Sequence, residues 1–152
     1  MQQTRQTLLI AVVIALTGPC GAIEVNARNP PPAELYGTYG PRGNCSASPR
    51  VSVDETGLYV VIGQTRGRVD GLDLCLSCAG GARYEGIEQW LSPRVEAAQG
   101  YAVNFRFNAD EKPGQLIVND TGDTALGPNL KSVVAASPYQ RCGPPTRGKP
   151  AR

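Results

Sequence analysis

The chain has 152 residues, with 15 basic and 13 acidic side chains and no histidine. A balance this close to neutral argues against nucleic acid or an anionic membrane surface as a partner. The absence of imidazole removes the Ser-His and Cys-His nucleophile arrangements and the histidine-bearing zinc sites of hydrolases.

The first element in chain order is a targeting segment. Met1 to Thr7 is polar and carries Arg5, and Leu8 to Leu16 is an unbroken apolar run of nine. A membrane span needs about twenty apolar residues. Here Thr17, Gly18, Pro19 and Cys20 end the run, so 1–22 reads as a secretory signal and not as an anchor. Cleavage is expected after Ala22, with Ala27 as the alternative, because small residues precede both bonds. Cys20 would be the acylated residue of a lipoprotein signal, a pattern that Pro19 fits poorly. The expected location is the periplasm or the medium, with no membrane span. About 125 residues remain, enough for one domain.

Residues 28–41 hold Pro30, Pro31 and Pro32 and read as an extended N-terminal arm. A β domain is expected over 42–142 and a disordered tail over 143–152. Short alternating or β-branched runs mark strands at Arg50 to Val53, Leu58 to Ile62, Gly67 to Val69, Leu72 to Leu76, Tyr101 to Phe107 and Gln115 to Val118. The clearest alternation puts Tyr101, Val103, Phe105 and Phe107 on one face, with Gln115 to Val118 as hairpin partner across Lys112-Pro113-Gly114. Leu130, Val133 and Val134 share a helical face over Asn129 to Ala136, which Pro138 stops, and a second short helix is expected over Glu85 to Leu91. The fold class is therefore mainly β: a small antiparallel, barrel-like sheet with one C-terminal helix, braced by two disulfides.

Removal of the signal leaves Cys45, Cys75, Cys78 and Cys142, an even set that reads as two disulfides with three possible pairings. A Cys-x-x-Cys pair is redox-active when its first sulfur caps a helix. Here the preceding Leu72 to Leu76 alternates like a strand and Gly80-Gly81 follows, so a structural bridge is expected. No metal site and no cofactor are expected. Glu85 with Glu88, beside Tyr84 and Trp90, and Asp110 with Glu111 are the carboxylate pairs available for acid and base work. Neighbouring acids on loops are usually solvated, so no catalytic residue is assigned and the protein is not expected to be an enzyme.

Gly81-Ala82-Arg83-Tyr84, followed by Gly86-Ile87 and Trp90, resembles the Ser-Gly-x-x-Tyr loop of the periplasmic or membrane-bound inhibitors of chicken-type lysozyme. Gly80 stands at that family's serine, and Ser92-Pro93-Arg94 at its later Lys-Gly. The resemblance implies a small β-barrel whose motif loop enters the lysozyme cleft. Arg83, Tyr84, Trp90 and Arg94 would be the binding residues, and a disulfide would tie the first strand to the C-terminus, as Cys45 and Cys142 could. Cys45–Cys142 and Cys75–Cys78 is the pairing expected, because the first brackets the folded region and the second is locally reachable. The local bond requires the strand to stop, since strand residues three apart lie roughly 10 Å from each other.

A wider likeness is to small exported bacterial proteins of unassigned role. It rests on Gly37-x-Tyr39, Gly43-x-Cys45, Trp90-x-x-Pro93, Phe107-Asn108-x-x-Glu111-Lys112-Pro113-Gly114 and Ser137-Pro138-Tyr139-x-x-Cys142. That likeness carries no activity with it; the expected function is an exported protein-binding domain, an inhibitor of or immunity protein against a cell-wall hydrolase such as lysozyme, because a small disulfide-braced β domain without catalytic residues works by presenting rigid loops. The alternatives are a structural or accessory envelope protein and, further off, a carboxylate hydrolase or a thiol oxidoreductase.

Overall fold

Alternation of apolar and polar residues builds one antiparallel sheet. The computed structural model describes residues 21–81 and 83–143; the apolar run of the expected signal and the tail beyond Gly143 lie outside the described residues. In chain order the strands are β1 Ile23–Glu24, β2 Gly37–Pro41, β3 Arg50–Asp54, β4 Gly57–Ile62, β5 Thr65–Val69, β6 Leu72–Cys75, β7 Gln89–Val95, β8 Gly100–Tyr101, β9 Val103–Phe107, β10 Gln115–Asp120 and β11 Tyr139–Arg141. The sheet runs β1-β6-β7-β9-β10-β11-β2-β3-β4-β5, with β8 paired to β7, and it curls into a half-barrel. Among the described residues no helix is long and apolar enough to cross a membrane.

The inward face follows the period-2 rule. On β9, Val103, Phe105 and Phe107 are fully buried while Asn104 and Arg106 turn outward. β10 sets Leu116 opposite Phe107 and Val118 opposite Phe105, as the hairpin expectation required. Val51 and Val53 of β3 meet Val60 and Leu58 of β4 in the same way. The helix α1, Pro128–Ala135, packs on β10 and β4 and buries Val133. Two phenols lie in this core and both are satisfied: Tyr39 donates to the Leu35 carbonyl at 2.9 Å and Tyr139 to the Val133 carbonyl at 2.8 Å. Burial pushes the pKa of Tyr139 well above that of a free phenol.

Four expectations need correction. Gly37–Pro41, expected within the arm, forms β2, paired with both β3 and β11. The folded unit therefore begins before residue 42, and Ile23–Glu24 extends it further by pairing with β6. No helix forms over 85–91; Gln89–Val95 is a strand between β6 and β9. Ile87 and Leu91 offer a helix too thin an apolar stripe, whereas in the sheet Leu91 is fully buried between Leu74 and Phe105. Pro93 hides this strand from pattern reading, because proline rarely enters sheet interiors. It stands opposite Leu72 in the β6–β7 ladder, and its carbonyl accepts from the Ala102 N–H at 3.1 Å on the other side. The run Tyr101 to Phe107 divides at Ala102, so that Tyr101 pairs with Arg94 while β9 begins at Val103. Lastly, β6 ends at Cys75 and not at Leu76.

That early end permits the local disulfide. Cys75 and Cys78 are joined with their Cα atoms 5.6 Å apart, and Cys45 and Cys142 are joined at 5.8 Å across a separation of 97 residues.

Candidate functional site

Between β6 and β7 the chain makes a surface loop, 76–88, that contains the Gly80 to Trp90 motif region apart from its last residues. The disulfide fixes its start. Two turns follow, closed by the Gly81 N–H donating to the Ser77 carbonyl at 2.6 Å and the Tyr84 N–H donating to the Gly81 carbonyl at 3.0 Å. Tyr84 then folds its ring over two glycines. A Cβ on Gly80 would stand 2.8 Å from Tyr84 Cδ2, and one on Gly86 would run into the Tyr84 ring and the Glu111 carboxylate. The absence of a side chain at position 80 thus makes room for the tyrosine.

The end of the loop is held by the β9–β10 hairpin. Tyr84 donates its hydroxyl proton to Glu111 and accepts from the Glu88 N–H at 2.8 Å. The other Glu111 oxygen accepts from the Ile87 N–H at 2.9 Å, and Asn108 Nδ2 donates to the Ile87 carbonyl at 3.1 Å. Asn108, Asp110 and Glu111 reach these partners from the left-handed region, with φ of 51°, 55° and 59°. Such values are uncommon in L-residues and give the hairpin a tight, specifically shaped tip.

Glu88, 4% exposed, sits where loop, strand and hairpin meet. One carboxylate oxygen accepts from Trp90 Nε1 at 2.6 Å and Arg106 Nε at 2.7 Å; the other accepts from the Asp110 N–H at 2.8 Å and an Arg106 Nη at 3.2 Å. Burial alone would raise its pKa, but Arg106, the Asp110 N–H and Trp90 outweigh that and hold it below the ordinary carboxylate value. Glu111 is likewise lowered, chiefly by the Tyr84 hydroxyl and then by the Ile87 N–H. Tyr84 is raised by desolvation and by the Glu111 carboxylate. Both carboxylates are therefore ionised acceptors at neutral pH, bound to the scaffold.

A second polar cluster covers the outward face of β6, β7 and β9. Arg94 makes a two-pronged ion pair with the buried Asp73, through Nε at 3.0 Å and Nη2, and Tyr101 donates to the same carboxylate at 3.2 Å. Ser92 donates to Asn104 Oδ1 at 2.7 Å. Asp73, Cys75, Trp90, Ser92, Tyr101 and Asn104 line a cavity of about 170 Å³.

The four expected binding residues therefore separate. Arg83 is exposed on the loop and has no hydrogen-bond or ionic partner among the described residues. Tyr84 is half-buried and serves the loop's own shape. Trp90 is half-buried, tied to Glu88 and 5.5 Å from the Arg106 guanidinium. Arg94 lies on the strand with its charge occupied by Asp73. The residues that pattern reading missed are the fasteners: Asp73, Arg106, Asn108 and the anchoring role of Glu111. Phe107-Asn108-x-x-Glu111 read as a turn, and only its contacts across the sheet reveal that the same turn clamps the loop. No family model matches the chain, and neither a curated protein nor a solved structure is significantly similar to it.

Proposed function

We propose that this is an exported protein-binding domain that presents residues 80–94 to another protein, as an inhibitor of, or an immunity protein against, a cell-wall hydrolase such as lysozyme. One observation carries the reading: the loop is fastened at both ends, by Cys75–Cys78 and by the Tyr84–Glu111–Ile87 bonds, while Arg83 stands exposed between them without a partner among the described residues. A loop held in this way loses little conformational entropy on docking. A free guanidinium on it can form a two-pronged bond with a carboxylate, such as the catalytic acid of a hydrolase. Leu76, 49% exposed, and Ile87, 42% exposed, stand on the same loop and are free to supply apolar contact. The binding set narrows accordingly to Arg83 with these neighbours. Tyr84 and Glu88 shape the loop, and Arg94 supports the strand behind it. Two disulfides are compatible with the oxidising compartment in which such a partner would be met.

The test is an inhibition assay of chicken-type lysozyme with the purified, oxidised protein at micromolar concentration. Inhibition is expected, and Arg83→Ala should raise the inhibitory concentration roughly tenfold or more while leaving the melting temperature unchanged. Absence of inhibition by the folded protein removes lysozyme as the partner.

A further inference from the structure

Beside the base of the loop lies a larger cavity of about 410 Å³, within the size range of small-ligand sites, lined by Glu34, Ile87, Gln89, Asn108, Pro113 and Arg141 among others. Arg141, the last residue of β11, is half-buried and held rigidly. Its guanidinium donates to the Tyr39 hydroxyl at 2.8 and 3.2 Å and to the Glu34 carbonyl, and lies 5.4 Å from the centre of the Tyr39 ring. Both acceptors are neutral. Arg66, Arg68, Arg94 and Arg106 each face a carboxylate, but Arg141 has none within 4.0 Å among the described residues. Its Nη1 makes no hydrogen bond among them either.

Glu34 and Gln89, in the same lining, carry complementary groups. Gln89 donates to Glu34 Oε1 at 2.8 Å, which leaves Glu34 Oε2 open, and the Gln89 side-chain oxygen is buried without a donor among the described residues. A bare anion drawn to Arg141 would be repelled by Glu34. A ligand with an N–H donor next to its carboxylate satisfies both Arg141 and Glu34, and Ile87 and Pro113 in the same lining offer an apolar surface to its side chain.

We propose that this cavity binds the C-terminal end of a peptide: the terminal carboxylate on Arg141, the last amide N–H on Glu34 and Gln89, and the terminal side chain against Ile87 and Pro113. The site shares Ile87 with the proposed docking surface but does not use Arg83, and its test uses no hydrolase.

The experiment is an NMR titration of the oxidised, ¹⁵N-labelled protein with N-acetyl-Ala-Val, with its C-terminal carboxamide, and with free valine. The acid should shift the amide signals of Ile87, Asn108 and Arg141, and the carboxamide should bind roughly ten- to a hundredfold more weakly, since it lacks the charge-assisted bond. Equal binding of acid and carboxamide overturns the proposal, as does the absence of shifts at those residues up to about 10 mM peptide. Valine binding as tightly as the peptide also overturns it, because the site would then recognise a free amino acid. Arg141→Gln should abolish binding. Since Arg141 also braces Tyr39, the exposed Ile87→Ser offers a second variant, expected to stay folded and to weaken the peptide several-fold.

Discussion

Two disulfides of nearly equal Cα span, 5.8 and 5.6 Å, hold two regions of opposite character. Cys45–Cys142 joins the segment after β2 to the residue that follows β11, at a seam where the sheet itself is continuous: the Cys142 N–H donates to the Thr38 carbonyl at 2.7 Å, and Arg141 pairs with Tyr39. It closes almost the whole described domain around the core of Tyr39, Phe107 and Tyr139. Cys75–Cys78 closes a single turn at the start of a loop that has little apolar cover and whose remaining order comes from polar bonds to Glu88 and Glu111. One bridge restricts the unfolded chain; the other restricts a surface. The molecule thus keeps global stability and the shape of its candidate docking loop in separate hands, linked through the buried Glu88.

The comparison can be broken most severely at the long bridge. Replacing Cys45 and Cys142 together with serine should lower stability by about 4–5 kcal/mol from chain entropy alone, read as a fall in the urea midpoint, because the closed segment spans 97 residues. A loss no larger than that at the short bridge would show that the sheet seam, and not the bond, closes the domain.

Next in size is the link between the two regions. Glu88→Gln leaves Arg106 without its buried partner and should cost roughly 3 kcal/mol. It also carries a pH signature. The folded pKa of Glu88 lies below the ordinary value of 4.5, so its contribution is complete above that value and is lost as pH falls through the lower folded pKa. Denaturation midpoints of the wild type should therefore decline more steeply on the acid side than those of the variant. Parallel acid limbs would show that Glu88 is not what links loop and core.

The smallest effect is expected at the short bridge. Serine at Cys75 and Cys78 should cost about 2 kcal/mol, with the change in amide exchange confined to 76–88 and the adjoining strand ends. Faster exchange spreading into β9 and β10 would mean that the loop and the core are one cooperative unit after all.

Local chemistry in the sequence determined a good deal. Alternation on Val103 to Phe107, the Lys112-Pro113-Gly114 hairpin, the helix ahead of Pro138, the mainly β class and the local Cys75–Cys78 pair follow from periodicity, turn residues and reach, properties that belong to neighbours in the chain; Cys45–Cys142 was expected only because it brackets the folded region. β2, β7 and β11 were not legible, because Pro41, Pro93 and a three-residue length each mask a strand whose stability comes from partners far away in sequence. At the candidate site the sequence supplied Arg83, Tyr84, Trp90 and Arg94 but could not say which charge is free. Only the folded sheet decides that, since Asp73 reaches Arg94 across strands and Glu111 reaches Tyr84 from another hairpin. Electrostatic pairing depends on distances of a few ångströms in space, and the chain alone fixes those only between residues close in sequence.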